Sequence, residues 1–296
     1  MIKYLRKRFI FFNILVISSI AVVIGLFIFL GSPRNDMTPH RYITMLLVVI
    51  FMVYIGSLIL SKVAIRPIQA AWQKQLDFTA DASHELRTPI TVIQTNLDLV
   101  MDNREETVES QMKWLKNIKA ENQRMSKLVD DLLTLSRADT DQQMVEKEMF
   151  MLDEAILESF APFEALANEK NIKLNVAINN QIAFFGDRKR IKQLIVVILD
   201  NALNYTDSGT VSVKLAQSEK EITITVSDTG HGMEAEHLNK IFDRFYRVSK
   251  TKKLNQDGSG LGLSIAKWIV QEHGGWIQAT STVGVGTSFV VHLPSK

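Results

Sequence analysis

The sequence of 296 residues contains no cysteine, and this absence excludes several classes of protein. A disulfide framework, a thiolate zinc site, an iron–sulfur cluster and a cysteine nucleophile all require that residue. Six prolines and fourteen glycines are too few for a collagen-like or low-complexity chain. The net charge of +2 is too small to indicate nucleic-acid binding, so no nucleic-acid partner is predicted.

Charged residues are also absent from two long apolar runs near the N-terminus, residues 9–30 and 42–60. As helices that rise about 1.5 Å per residue, both runs are long enough to cross a hydrocarbon core of roughly 30 Å. The alternative, a buried hairpin of a soluble protein, is less favoured because such helices keep a polar face. We therefore predict a membrane region at residues 1–66 that contacts the lipid bilayer.

The distribution of basic residues predicts the orientation of this region. Lysine and arginine precede the first run and follow the second, whereas only two arginines lie in the loop at 31–41. By the positive-inside rule, we expect a multi-pass protein of the cytoplasmic membrane with both termini in the cytoplasm. The loop is too short to fold as a domain, so a stimulus is expected to act on the spans or through a membrane partner that supplies the signal.

Two amphipathic stripes follow the membrane region. The first, from Leu86 to Val100, repeats apolar residues at intervals of four and three, which is typical of a helix. After the polar stretch at 102–106, a second stripe runs from Val108 to Leu135. Two helices joined by a short loop form an antiparallel hairpin. Because each stripe needs a partner, we expect a homodimer in which two hairpins form a four-helix bundle.

From about residue 149 onward, predicted helices and strands alternate. The helices are predicted at 152–167, 187–205 and 261–273, and the strands at 172–178, 182–185, 210–215, 221–227, 276–281 and 287–293. This order predicts an α/β sandwich with a mixed sheet and helices on one of its faces.

The first candidate site is the segment Ser83–Pro89, which reads SHELRTP. On a helix, His84 and Thr88 lie one turn apart on the same side. Glu85 can orient the imidazole and make its free nitrogen more nucleophilic. A zinc site is not predicted, because Thr88 stands where a second histidine ligand is needed. Pro89 removes a helical hydrogen bond and predicts a hinge; the alternative is a solvated helix face with a chance histidine.

Three motifs in the second half of the chain suit a nucleotide. Asp228, which follows a predicted strand and precedes two glycines, can accept a hydrogen bond from an amine such as that of adenine. The segment 258–263 (GSGLGL) opens a helix whose backbone N–H groups can bind phosphate, although it is neither a Walker A loop nor a dinucleotide fingerprint. Asn201 can offer an oxygen to Mg²⁺. The lysine-bearing segment 250–257 predicts a mobile lid.

Taken in order, the motifs HELRTP, DNALNYT, DTGHGM, IFDRFYR, GSGLGL and GVGTSF resemble those of the sensor histidine kinases of bacterial two-component systems. The resemblance covers about residues 73–294. It implies a dimerisation and phosphoacceptor domain at 67–141, followed by an ATP-binding domain of the GHKL type at 149–296. It further implies autophosphorylation with ATP and Mg²⁺, and phosphotransfer to an aspartate of a response regulator as partner.

The resemblance also assigns roles to individual residues. His84 matches the phosphorylated histidine, Glu85 its acid/base partner and Thr88 the residue that positions water for dephosphorylation. Asn201 matches a metal ligand. The nucleotide contacts and the residues that anchor the lid match Tyr205, Asp228, Gly230, Gly232, Phe242, Phe245, Tyr246, Gly258, Gly260, Leu261, Gly262, Leu263 and Thr287.

Three features depart from the family pattern. Val197 stands where many members carry a second asparagine, and a valine cannot ligate a metal. Asn204 replaces a common lysine, which removes one positive charge near the phosphates. About ten residues separate Pro67 from Phe78, too few for the usual HAMP linker domain, so the signal is expected to pass almost directly from span to bundle.

These departures leave two alternatives open. The chain can act mainly as a phosphatase that uses Glu85 and Thr88 on a phosphorylated regulator. It can also be a non-catalytic membrane-anchored dimer that binds nucleotide, which the intact HELRTP segment disfavours.

Overall fold

The computed structural model describes residues 66–139, 146–178, 181–248 and 258–295, together with scattered helical positions between residues 12 and 56. The predicted spans at 9–30 and 42–60 therefore lie for the most part outside the described residues. Within that described part of the chain, we find no helix whose length and apolarity suffice for crossing a bilayer. The chain divides into two compact units, residues 1–80 and 81–296.

The predicted helical hairpin is confirmed. Helix α1 (Arg66–Asp102) and helix α2 (Val108–Asp139) flank a short polar loop. A hydrogen bond of 3.1 Å from Asn117 Nδ2 to Oδ1 of the buried Asn96 joins the two helices. Pro89, the predicted hinge, lies within α1, and the helix continues on both sides of it.

The second half of the chain folds as an α/β lobe, as predicted. Its main sheet has five strands, which are β2 (Ile172–Ile178), β4 (Gly209–Gln217), β5 (Glu221–Asp228), β6 (Trp276–Thr282) and β7 (Gly286–Pro294). They lie in the order β2-β4-β5-β7-β6, in which β2 and β4 are parallel and the other neighbours are antiparallel. A separate antiparallel pair joins β1 (Glu148–Met151) to β3 (Ala183–Gly186). Strand β1 was absent from the sequence-based prediction.

Three helices, α3 (Leu152–Glu169), α4 (Arg188–Asn204) and α5 (Gly262–Glu272), cover the sheet. Helix α4 begins where Asp187 accepts a hydrogen bond of 3.0 Å from the backbone N–H of Arg190, as an N-cap does. Its apolar side is fully buried, through residues Ile191, Leu194, Ile195, Ile198, Leu199, Ala202 and Leu203. In β5 buried residues alternate with half-buried ones, so one face of the sheet holds the core.

Helix α2 packs against this lobe. Leu128 and Leu135 are buried, and they belong to the same apolar cluster as the core residues of α4 and α5. Part of the second amphipathic stripe therefore has a partner within the same chain. This packing places the hairpin beside the end of α4, where the candidate site lies.

Candidate active site

A cavity of about 630 Å³ lies between α2, α4, the start of α5 and the ends of β5 and β7. This volume falls within the range of small-molecule sites. Ten of the residues assigned by the resemblance to nucleotide or lid line it: Asn201, Tyr205, Asp228, Gly232, Tyr246, Gly258, Gly260, Gly262, Leu263 and Thr287. The predicted nucleotide motifs, which span residues 201–287, thus converge on one cavity.

Asp228 ends β5 and is held in one orientation by the backbone. Its Oδ1 accepts hydrogen bonds from the N–H groups of Gly230, at 2.9 Å, and Thr287, at 3.2 Å. Oδ2 accepts no hydrogen bond from the described residues, so it is available to a ligand in the cavity that Asp228 lines. Burial raises the pKa of this carboxyl group, while the two backbone hydrogen bonds and the nearby His231 act in the opposite direction. The arrangement suits a ligand that presents an N–H group.

Two glycines allow close approaches of the backbone at this end of the cavity. Gly232 has a φ of +64°, and a Cβ there would collide with the carbonyl oxygen of Thr282. Gly286 has a φ of +135°, and a Cβ there would collide with the carbonyl oxygen of Asp228 itself. Both backbone conformations favour glycine, so these residues fix the shape of this end of the cavity.

Asn201 and Val197 lie one helical turn apart on α4, and both line the cavity. Asn201 Nδ2 donates a 2.8 Å hydrogen bond to the carbonyl oxygen of Val197, which leaves Oδ1 of Asn201 as an available acceptor. Val197 packs against the glycine-rich loop, because a Cβ on Gly262 would lie 3.2 Å from its Cγ1. The side-chain amide fits a hard cation such as Mg²⁺, whereas the valine offers it no ligand.

The segment that follows β5 supports the glycine-rich loop. The buried ring of Phe242 packs edge-on against Phe289, with ring centroids 6.4 Å apart. Phe245, at a φ of +60°, donates its backbone N–H to the carbonyl oxygen of Gly260 at 3.0 Å. Tyr246 is hydrogen-bonded through its hydroxyl to Nδ1 of His237 at 2.7 Å. The predicted lid at 250–257 lies outside the described residues.

Not every predicted site residue lines the cavity. Gly230 acts through the orientation of Asp228, Phe242 packs against Phe289, and Phe245 contacts the glycine-rich loop at Gly260. Leu261 is fully buried in the core. Of the HELRTP segment, Glu85 and Pro89 line the cavity, whereas His84 and Thr88 are exposed on α1 outside it. The structure therefore brings Glu85 to the nucleotide motifs and leaves His84, the preceding residue, facing solvent.

Sequence reasoning missed the contribution of α2 to this cavity. Glu121, Arg124, Lys127 and Asp131 line it from one side of that helix. Lys127 Nζ lies 3.6 Å from Oδ2 of Asp200 on α4. Burial raises the pKa of Asp131 to about 6, with Lys127 lowering it and Asp130 raising it further. No local motif marks these residues, because helical spacing alone does not reveal which face meets another domain.

Two protein families match the chain. Residues 74–141 match the family described as His Kinase A (phospho-acceptor) domain. Residues 186–296 match the family described as Histidine kinase-, DNA gyrase B-, and HSP90-like ATPase. The first region holds the hairpin with His84, and the second holds α4, the glycine-rich loop and the five-stranded sheet except β2.

Curated relatives and solved structures agree with these families. Sensor histidine kinase CusS of Escherichia coli K12 is 34% identical over 232 residues, which are 78% of this chain and 48% of CusS. Sensor protein SrrB of Staphylococcus aureus NCTC 8325 is 32% identical over 223 residues, 75% of this chain and 38% of SrrB. The chain thus spans less than half the length of these relatives.

Among solved structures, histidine kinase ThkA in complex with response regulator protein TrrA superposes with a TM-score of 0.62 and 26% identity. The match covers 78% of this chain and 65% of that one.

Proposed function

This chain belongs to the bacterial two-component sensor histidine kinases, and we propose that it phosphorylates itself on His84 with ATP and then phosphorylates an aspartate of a response regulator. The observation that carries the proposal is that one cavity is lined both by the nucleotide motifs and by Glu85, the neighbour of His84. The response regulator in the ThkA complex supports the class of the partner.

The residues of the cavity fit both the adenine and the phosphates of ATP. Oδ2 of Asp228 would accept a hydrogen bond from the exocyclic amine of adenine. The backbone of the Gly258–Gly262 loop and the start of α5 would bind the phosphates. Asn201 Oδ1 would hold Mg²⁺, which would reduce the negative charge of the phosphates during transfer.

Phosphoryl transfer would follow from the position of the HELRTP segment. A ring nitrogen of His84 attacks the γ-phosphorus in line, an N–P bond forms, the bond to the bridging oxygen breaks, and ADP leaves. Glu85 accepts the proton released from the other ring nitrogen. Since His84 lies outside the cavity while Glu85 lines it, transfer to the His84 of the same chain requires the lobe to shift along the hairpin. Catalysis then depends mainly on positioning.

The second candidate function is that of a phosphatase acting on the phosphorylated regulator. Val197 lines the cavity without offering a metal ligand, and Asn204 lines it without a positive charge, which favours weak autophosphorylation. Thr88 is exposed one turn from His84, where a docked regulator can reach it. This activity predicts rapid loss of regulator phosphate that is impaired by Thr88→Ala.

We also propose the wider organisation of the chain. Residues 1–66 would form a membrane region with spans at 9–30 and 42–60 in the bacterial cytoplasmic membrane, both termini being cytoplasmic. The phosphoacceptor domain would extend over 67–141 and the ATP-binding domain over 149–296. Ile90 and Leu97 are exposed in the single chain, and a second copy would cover them in a four-helix bundle.

Labelling of the full chain with γ-labelled ATP tests the proposal. Wild-type protein is expected to acquire acid-labile label, His84→Gln to acquire none, and Thr88→Ala to acquire label that is lost more slowly from an added regulator. Label on His84→Gln equal to that on wild type would contradict the assignment of the phosphoacceptor. ATP binding without any label on wild type would favour the non-catalytic alternative. Autophosphorylation of wild type that is not weak would contradict a function that is mainly that of a phosphatase.

A further inference from the structure

The part of the cavity formed by α4 carries little positive charge. Asp200, Asn201 and Asn204 line it, and of these Asp200 is negative while the others are neutral. Asp200 also accepts a hydrogen bond of 3.2 Å from Asn204 Nδ2. Among the lysines and arginines of the lobe that the structure describes, Arg247 alone lines the cavity. A bound polyphosphate would therefore meet a carboxylate next to the proposed metal ligand.

The hairpin also brings positive charge to this region. Arg124 and Lys127 of α2 both line the cavity. The Arg124 guanidinium lies 3.9 Å from Glu121. The Lys127 ammonium lies 3.6 Å from Oδ2 of Asp200, one residue before Asn201. Lys127 thus forms an ion pair between α2 and α4.

The ion pair between Lys127 and Asp200 is weak enough for Lys127 to exchange Asp200 for another anion. The Lys127 side chain is 71% exposed and that of Asp200 40% exposed, and pairs with this degree of exposure are weak. A lysine carries its charge on a flexible four-carbon stem, so its ammonium can turn from one anion to another nearby without a change of backbone. A polyphosphate bears more negative charge than one carboxylate and competes strongly for the ammonium.

We propose that Lys127 of α2 leaves Asp200 and binds the phosphates of ATP, so that the phosphoacceptor domain and the ATP-binding domain share the nucleotide site. This inference rests on the proposed function, because it requires that the cavity binds ATP. The inference goes beyond the proposed function because it assigns a phosphate-binding residue that lies outside the ATP-binding domain. The shared site would make ATP, but not adenosine, hold the lobe against α2.

Binding of ATP and adenosine to full-length variants in detergent tests this assignment. Lys127→Met is expected to weaken ATP binding about five- to tenfold, the effect of one lost charge at a partly exposed site, and to leave adenosine binding unchanged. The affinity of Lys127→Met for ATP should also fall less steeply with added salt than that of wild type. Lys127→Arg, which keeps the charge, is expected to restore most of the ATP affinity.

Lys119→Met is the matched control. Lys119 is exposed on the same helix and does not line the cavity, so its loss removes the same charge without the proposed contact. Unchanged ATP affinity in Lys127→Met, or equal losses for ATP and adenosine, would overturn the assignment while leaving the proposed function intact. Equal losses of ATP affinity in Lys127→Met and Lys119→Met would overturn it too. Failure of wild type to bind ATP would instead remove the proposed function and this inference together.

Discussion

The backbone N–H of Thr287 donates a hydrogen bond of 3.2 Å to Oδ1 of Asp228, although 59 positions separate the two residues. The neighbouring strands β5 and β7 bring them together. The N–H of Gly230 binds the same oxygen at 2.9 Å, so the carboxylate cannot rotate without losing both bonds. The backbone therefore occupies Oδ1 and leaves Oδ2 available to the proposed nucleotide.

Replacement of Asp228 by asparagine tests this orientation. The side-chain oxygen would keep the two backbone N–H groups, so the new amide nitrogen would face the amine of adenine and two donors would meet. ATP affinity is expected to fall about 10- to 100-fold, the range for a hydrogen bond to a charged group. Inosine triphosphate, which presents a carbonyl at the same position, should gain relative to ATP. Competition binding measures both, and an unchanged preference between the two nucleotides would contradict the orientation.

Gly286 is expected to tolerate no side chain. Its φ of +135° and the close approach of the Asp228 carbonyl both oppose a Cβ. Gly286→Ala should lower the free energy of unfolding by about 2 kcal/mol or more. Gly258→Ala is the control, because a Cβ there meets nothing within 4 Å. Urea unfolding monitored by circular dichroism measures the difference, and equal midpoints for the two variants would argue against the constraint.

The strands of the main sheet could be predicted because each buries alternate residues. Strand β5 buries Ile222, Ile224, Val226 and Asp228 while the residues between them remain half-buried, and the sequence shows the same alternation. Strand β1 could not be predicted, since its residues do not alternate in burial (two exposed residues precede two half-buried ones), whereas the equally short β3 does alternate. A short strand of this kind is defined by its pairing rather than by its own pattern.

The residues of the candidate site also fall into a group that the sequence predicts and a group that it does not. Asp228, Asn201 and the glycine-rich loop belong to local motifs, and they could be identified before the cavity was known. Lys127 and Asp131 belong to no motif, because they reach the cavity only when α2 packs against the lobe. Packing between two domains depends on the surfaces of both, which the spacing along one helix does not specify. That Glu85 lines the cavity while His84 does not could not be predicted for the same reason.

His273 is expected to make the stability of the lobe depend on pH. Its Nε2 accepts a hydrogen bond of 2.9 Å from the backbone N–H of Asp187, and its Nδ1 donates one of 2.8 Å to the carbonyl oxygen of Ile269. Only the neutral ring can make both bonds. Burial lowers the pKa of His273 below its usual 6.5, with Lys147 acting in the same direction and the bond to Ile269 opposing it.

Because the unfolded chain binds this proton more readily than the folded chain, stability should fall as the pH decreases below about 6.5. Thermal unfolding between about pH 5 and pH 7.5, a range that includes the ordinary pKa of histidine, measures the effect. His273→Gln lacks a group that titrates in this range, so its melting temperature should change less with pH than that of wild type. Parallel curves for the two proteins would show that other groups cause the dependence.

Leu135 and Leu133 offer a matched test of the contact between α2 and the lobe. Leu135 is 1% exposed and belongs to the apolar cluster that includes α5, whereas Leu133, on the same helix, is 48% exposed in the single chain. Leu135→Ala is expected to cost about 2–4 kcal/mol, because it removes buried methyl groups and leaves a cavity. Hydrogen exchange should therefore become faster at the amides of α5 in Leu135→Ala and stay close to wild type in Leu133→Ala. Equal acceleration in both variants, or none in either, would show that α2 does not hold the lobe through Leu135.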